Sequence, residues 1–323
     1  MITFYDLDDL VKHDLGKYTD SLLGYNFLTK TGSLMVVGNA GVGKSKWTGH
    51  LAFSAALGRD FLGMKVHRPV SVLYVQAEDV KEDLAESVQG FVKHDLKSDP
   101  VAVKNLKANL NIATVVGITG DDFIRLLDKT CEKLHPEVLI LDPLLAFMGC
   151  DLVDQGAVTK FLRVQLAQIA HRHNCALICV HHARKDKGTG ASIERAFGGI
   201  EFGAFFRGVI DLSSDPRDYR SVQMKVAKRQ RQLGLKDGLG NQVDSLNLRM
   251  GTDGVHWSIN DQLSPFDLGP ASGRPPKAAK TVTDKTIEEA LAAGLKGKEV
   301  VSEVVKKHGY SPKQAQRLVK AKS

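Results

Sequence analysis

Along the first two thirds of the chain, short unbroken apolar runs alternate with longer stretches whose apolar residues recur every three to four positions. Ser33-Leu34-Met35-Val36-Val37 stops abruptly at Gly38, and Val70–Gln76, Leu110–Val116, Val138–Leu141 and Ala176–Val180 have the same texture. An apolar run without alternation is what a strand shows when both of its faces are covered. Between these runs, the segment after Ser45 as far as Leu57, then Val80–Val92, Asp121–Leu134 and Asp154–His173, have helical period. Buried strands alternating with helices predict an α/β fold, a mostly parallel sheet with helices on both faces. Residues 1–30 read as a short helical lead-in.

The texture changes near Val209. Gly208–Leu212, Ser221–Lys228, Asp244–Met250 and Val255–Ile259 are short alternating runs separated by turn residues such as Asp237-Gly238 and Gly240-Asn241. They predict antiparallel strands that extend the sheet on its C-terminal side. From Ser264 to Thr283 the chain carries Pro265, Pro270, Pro275 and Pro276 among Gly, Ser and Ala, the composition of a linker. Beyond it, Asp284–Ala293 and Lys298–His308 are helical by period, Gly309-Tyr310 forms a turn, and Ser311-Pro312 is a strong helix start. The expected organisation is one large domain over 1–263, a Pro/Gly-rich linker over 264–283, and a small helical module over 284–323. That module fits a helix-turn-helix or winged helix, or a generic three-helix bundle for protein contacts.

Charge sharpens this division. The 323 residues carry a formal charge of +7, and all of the excess lies between Pro270 and Ser323, with twelve Lys/Arg against five Asp/Glu. A neutral body with a basic tail suggests a polyanionic partner, nucleic acid first, with a solvated basic tail as the alternative. No apolar run approaches the ~20 residues needed to span a bilayer, so no membrane partner is expected. The N-terminus has neither a basic segment nor an apolar core of a secretory signal, and the four cysteines show no framework spacing. A reducing, cytoplasmic setting is the expectation. Cys175, Cys179, His181 and His182 match no common zinc spacing.

Candidate chemistry begins where the first apolar run ends. Gly38-Asn39-Ala40-Gly41-Val42-Gly43-Lys44-Ser45 is Gly-x-x-x-x-Gly-Lys-Ser between a predicted strand and a predicted helix, the context in which this pattern is a phosphate-binding loop. Successive backbone N–H groups and a helix N-terminus form a concave donor surface for the phosphates of ATP. Lys44 would place a cation by the β- and γ-phosphates, and the Ser45 hydroxyl would ligate Mg²⁺. Val138-Leu139-Ile140-Leu141-Asp142 is an apolar strand ending in a carboxylate, which assigns Asp142 to the Mg²⁺ shell. The strand Val72–Gln76 runs into Ala77-Glu78-Asp79. Strand C-termini converge on the ligand crevice of a parallel sheet, so Glu78 is placed to polarise the attacking water and Asp79 to cap the next helix, with Asp79 in place of Glu78 as the base the alternative.

Walker A at 38–45, Ala77-Glu78-Asp79, Asp142-Pro143 and Val180-His181-His182-Ala183-Arg184-Lys185 together resemble the RecA-like ATPases of the RepA plasmid-helicase family, over roughly residues 20–235. The resemblance implies a RecA-like P-loop core and a ring, typically a homohexamer, that uses ATP to move along single-stranded DNA in plasmid or phage-type replication. It places the catalytic glutamate at Glu78 and a histidine that senses the γ-phosphate at His182. It also makes 184–207 a set of pore-facing loops. That stretch carries Lys185, Lys187, Arg195 and Arg207 among glycines and Phe197, Phe202, Phe205 and Phe206. Cations and aromatic faces on a glycine-rich backbone suit a single-strand groove, and Lys185, Lys187 and Arg195 are the expected DNA contacts. Phe205 and Phe206 are expected in the core.

Met224–Arg231 resembles the Lys-x-Arg region that ring ATPases project into a neighbour's nucleotide site. Arg231 is the first choice for that finger, with Lys228 and Arg229 as helpers and Arg229 and Arg231 on one strand face; a solvated basic edge strand is the alternative. Three functions remain open on the sequence: a DNA helicase or translocase, a RecA-like recombinase or annealing ATPase, and an ATP-switched DNA-binding regulator. In each, the C-terminal module could bind duplex DNA or a replication protein.

Overall fold

Period-two alternation along the apolar runs sorts their side chains onto two faces. In the strand Ser33–Gly38, Leu34 and Val36 pack on one side and Met35 and Val37 on the other. Val72–Gln76, Val138–Asp142 and Ala176–His182 divide in the same way. Each face meets its own layer of helices, which is why these strands read as uninterrupted hydrophobic runs.

The computed structural model describes residues 4–14, 17, 20–96, 99–182, 200–215, 218–237, 239–260, 290, 298–308, 316 and 319. In chain order the elements are α1 (Leu7–Lys12), β1 (Ser21–Leu23), β2 (Leu28–Thr29), β3 (Ser33–Gly38), α2 (Lys44–Leu57), β4 (Val72–Gln76), α3 (Lys81–Phe91), α4 (Pro100–Asn109) and β5 (Leu110–Thr114). There follow α5 (Gly120–Leu134), β6 (Val138–Asp142), α6 (Leu145–Met148), α7 (Gln155–Thr159), α8 (Ala167–Arg172) and β7 (Ala176–His182). The last are α9 (Ile200–Phe205), β8 (Gly208–Asp215), β9 (Asp218–Lys228), α10 (Gln230–Leu233), β10 (Ser245–Met250), β11 (Trp257–Ile259) and α11 (Lys298–His308). Two π-helical turns, Val92–Leu96 and Lys160–Leu166, continue α3 and α7.

The nine-stranded sheet has the order β11-β10-β9-β8-β3-β7-β6-β4-β5. From β8 to β5 every pair is parallel, and β8-β9, β9-β10 and β10-β11 are antiparallel. The α/β fold with a mostly parallel sheet and an antiparallel C-terminal extension is therefore the architecture. Side chains from α2 and α4 lie in the core on one face, with Trp47, Leu51, Phe53 and Leu106 buried. Those of α5 to α9 fill the other, with Phe123, Phe147, Phe161, Leu166 and Phe202 buried.

Several local expectations are corrected. Among the described residues of 1–30 the one helix is α1; Gly24 and Asn26, both at positive φ, then turn the chain into the β1–β2 hairpin. Leu110–Thr114 is an edge strand and only half-buried, since just one neighbour covers it. Gly208–Asp215 pairs parallel with β3: it follows β7 through a crossover and so enters the sheet from the same end. The helix α4 was not anticipated, although Asp99 caps it and Pro100 starts it, the pairing that pattern allows.

The chain divides into two compact units, Met1–Leu268 and Gly269–Ser323. In the second, α11 coincides with the expected helix Lys298–His308, and Ala290, Val300, Val304 and Val319 form a small core. The predicted linker 264–283 and the Ser311-Pro312 helix start lie outside the described residues. Among the described residues no helix is long and apolar enough to cross a membrane.

Candidate active site

The phosphate loop joins β3 to α2, with Gly41 at φ 77° and Gly43 at φ 88°, left-handed conformations that a Cβ would strain. Gly43 is the N-cap of α2 and offers no side chain, so the first N–H groups of the helix are left for a ligand. Gly38 has a second reason to be glycine: an added Cβ would lie 2.4 Å from the Leu212 carbonyl oxygen on β8.

Lys44 is 4% exposed, and its ammonium donates to the carbonyls of Gly38 and Asn39 at 2.9 and 2.8 Å. Burial pulls its pKa down from 10.5 to about 8, although the negative charges of Asp142 and Glu78 oppose the shift. A cation kept in a partly desolvated loop and held only by carbonyls is prepared to exchange them for phosphate oxygens.

Asp142 ends β6 and is 2% exposed. Its carboxylate accepts from the Tyr74 hydroxyl at 2.7 Å and from Gln76 Nε2 at 3.3 Å, and it is hydrogen-bonded to the Ser45 side chain. Burial raises its pKa, and the Tyr74 and Ser45 bonds counter the rise. Ser45 and Asp142 thus meet, the pairing a Mg²⁺ shell requires. Tyr74 and Gln76 were not anticipated. The signal in the sequence was the strand parity that puts positions 74 and 76 on one face of β4; the register Gln76↔Asp142, which brings that face to Asp142, is set by sheet pairing.

β7 lies between β3 and β6, in the register Gly38↔His182. His182 shares the face of Ala176, Ile178 and Val180, on the side of α2. Its Nδ1 is buried and finds no hydrogen-bond partner among the described residues. Burial lowers its pKa, the Lys44 charge lowers it further, and Glu78 pulls the other way. His181 faces the opposite layer and stacks on Phe202, with ring centroids 4.9 Å apart. Glu78 lies exposed in the bend after β4, within electrostatic reach of both Lys44 and His182.

Asp79 does not cap α3. Val80, in an extended conformation with no side-chain bond, is the N-cap, and Asp79 instead lies near Lys46, Asp83 and Glu78. Burial raises its pKa while Lys46 lowers it. Arg229 and Arg231 do not share a strand face either, because β9 ends at Lys228 and Arg229 turns to φ 59° as N-cap of α10. Lys228 is bonded to the Gly203 and Phe206 carbonyls and Arg229 to the Phe27 carbonyl, whereas Arg231 is exposed on α10. Phe202 and Phe206 are buried and Phe205 is packed against that core, which removes Phe202 from the aromatic faces expected of a groove. Lys185, Lys187 and Arg195 lie outside the described residues.

No curated protein matches the chain. Among solved structures it is similar to a KaiC-like protein of the hyperthermophilic archaeon Pyrococcus horikoshii, at 14% identity and a TM-score of 0.47, over 73% of this chain and 94% of that one. The AAA domain family matches residues 13–188, a span that includes the phosphate loop, Asp142 and His182. That span is more than half of the sequence, and the chain belongs to the AAA domain family, as a P-loop ATPase.

Proposed function

We propose that this ATPase is a ring-forming motor that couples ATP hydrolysis to movement along single-stranded DNA, as a helicase or translocase in replication. The observation that carries the reading is His182. It ends the strand between the phosphate-loop strand and the Asp142 strand, and its Nδ1 is buried without a partner. Two residues later begins the stretch that bears Arg184, Lys185 and Lys187. A histidine bonded to the γ-phosphate on one side and continuous with the DNA-contact residues on the other would pass the state of the nucleotide to the DNA.

In this reading the N–H groups of Gly41 to Ser45 and the Lys44 ammonium hold the phosphates. Ser45 and Asp142 hold Mg²⁺, and Tyr74 and Gln76 orient Asp142. Mg²⁺, when bound, withdraws charge from the phosphate oxygens. Glu78, which is exposed and free to reach the γ side, accepts the proton of the attacking water. Arg231 acts in trans on a neighbour's site. Its exposure supports that role, while Lys228 donates to the Gly203 and Phe206 carbonyls and Arg229 to the Phe27 carbonyl of the same chain. Lys185, Lys187 and Arg195 contact the DNA, and the basic C-terminal unit binds duplex DNA or a replication protein.

The test is ATPase turnover with and without single-stranded DNA, run beside unwinding of a fluorescent forked duplex. Stimulation with unwinding supports the motor. Turnover indifferent to DNA sinks it, strand exchange without unwinding points to a recombinase, and sequence-selective duplex binding points to a regulator.

A further inference from the structure

The β10–β11 hairpin is fastened to the phosphate-loop helix by histidines and aspartates from three elements. His256, in the hairpin turn, lies with Nδ1 2.7 Å from Asp253 Oδ2 and Nε2 2.8 Å from Asp95 Oδ2. Asp95 sits on the π-helical turn Val92–Leu96, and its carboxylate is 3.6 Å from His50 Nε2. His50 belongs to α2, six residues after Lys44, and its Nδ1 accepts the backbone N–H of Trp257 at 3.2 Å. His94 on the same π turn is 3.4 Å from Asp253, and Phe91 stacks on His256. π-turns inside helices gather at functional sites, and this one presents two adjacent polar residues to the hairpin.

These bonds hold an indole against the phosphate loop. A Cβ built on Gly43 would lie 2.8 Å from Trp257 Cζ2 and 4.0 Å from Met250 Sδ. The ring therefore rests on the left-handed glycine whose conformation aims the first N–H groups of α2. Trp257 is 4% exposed, and its Nε1 has no hydrogen-bond partner among the described residues. A buried N–H left unpaired is unfavourable, so the indole is kept there for its contact.

The imidazoles and carboxylates also have the composition of a metal site. The Trp257 N–H on His50 Nδ1 leaves the ring proton on Nε2, which takes that nitrogen away from a metal. The fastening then consists of the His256–Asp253 and Trp257–His50 hydrogen bonds, with the Asp95 carboxylate beside both imidazoles; the His94–Asp253–His256 group does not involve His50, and adding Zn²⁺ tests it.

We propose that Trp257 is a positioning residue for nucleotide binding, holding Gly43 and the phosphate loop in their receptive shape, and that the His50–Asp95–His256–Asp253 chain clamps it there. The proposal rests on the ATP-site reading of the phosphate loop. Its test is steady-state ATPase kinetics and ADP affinity of the full chain and three variants. Trp257→Ala should raise KM for ATP and weaken ADP binding about tenfold, with kcat within about twofold, and His256→Asn should do the same more mildly. An order of magnitude corresponds to about 1.4 kcal/mol. Trp257→Phe, which keeps a ring on Gly43, should restore affinity. The part of the tryptophan emission missing from Trp257→Phe should also respond to ADP in the unmodified chain.

Equal KM in all variants with a lowered melting temperature would mean a merely structural hairpin and overturn the proposal. So would an emission component that ignores bound ADP. Tighter ADP binding on adding Zn²⁺, lost in His256→Asn, would replace the hydrogen-bonded clamp by a metal. If the unmodified chain binds no nucleotide, the ATP-site reading itself has failed, an outcome distinct from failure of the clamp.

Discussion

Lys44 shows how burial sets up chemistry at a single residue. Its folded pKa of about 8 lies below the ordinary 10.5. Below about pH 8 the folded chain carries the full cost of keeping that ammonium charged. Between about pH 8 and 10.5 the unfolded chain holds a proton that the folded one has released, so stability contributed by this group rises with pH there. Nucleotide binding follows the opposite trend. A phosphate needs the charged form, so affinity for ADP should decline as pH rises above about 8, with proton uptake on binding. Calorimetry in buffers of different ionisation enthalpy, from pH 7 to 9.5, checks this, and a flat profile counts against it. Tyr74→Phe removes the 2.7 Å bond to a buried carboxylate. It should destabilise the protein by about 1–3 kcal/mol and raise the Mg²⁺ concentration needed for half-maximal turnover, read by denaturant melts and Mg²⁺ titration.

At the scale of the element, strand parity decides which of two adjacent histidines can serve the site. His181 is 1% exposed and stacks on Phe202 in one core, and His182 ends on the opposite face beside the phosphate loop. His181→Gln should therefore cost about 1–3 kcal/mol of stability and leave turnover per folded molecule near normal. His182→Gln should fold with little loss and bind ATP, yet lose stimulation by single-stranded DNA. A reversal of these two phenotypes would contradict the parity argument. Gly43→Ala meets two obstacles at once, a φ of 88° and the Trp257 ring. Strain of ~1–3 kcal/mol should appear as lost stability together with lost nucleotide binding, whereas Gly117→Ala, also at positive φ but with nothing within 4 Å, should show the strain alone.

For the whole molecule, the proposed ring makes a prediction that no single chain can satisfy. If Arg231 completes a neighbour's site, Lys44→Ala and Arg231→Ala should each be inactive alone and recover part of the turnover when mixed. In the mixture some interfaces join an intact Lys44 to an intact Arg231. Absence of recovery, with mixed assembly shown by native mass spectrometry, would exclude a finger in trans. Of the three cations expected at the finger, Arg231 is the one that is exposed. The strand on which it was expected ends at Lys228, and the left-handed Arg229 turns the chain so that two of three cations bond inward and the third is exposed.

Local order was enough for the parallel core, the phosphate loop and Asp142. Strands covered on both faces must be apolar throughout, and a loop that binds phosphate with its backbone needs glycines at set positions. What local order could not convey is partnership between distant residues. Tyr74 and Gln76 serve Asp142 only because β4 pairs with β6 in one register. His50, Asp95, His256 and Trp257 come from three separate elements and carry no motif. The direction of β8 depended on a crossover over β3, and the inward ties of Lys228 and Arg229 on backbone carbonyls brought close by folding. Such pairings depend on where the chain returns in space, and that is decided by packing two hydrophobic layers against one sheet.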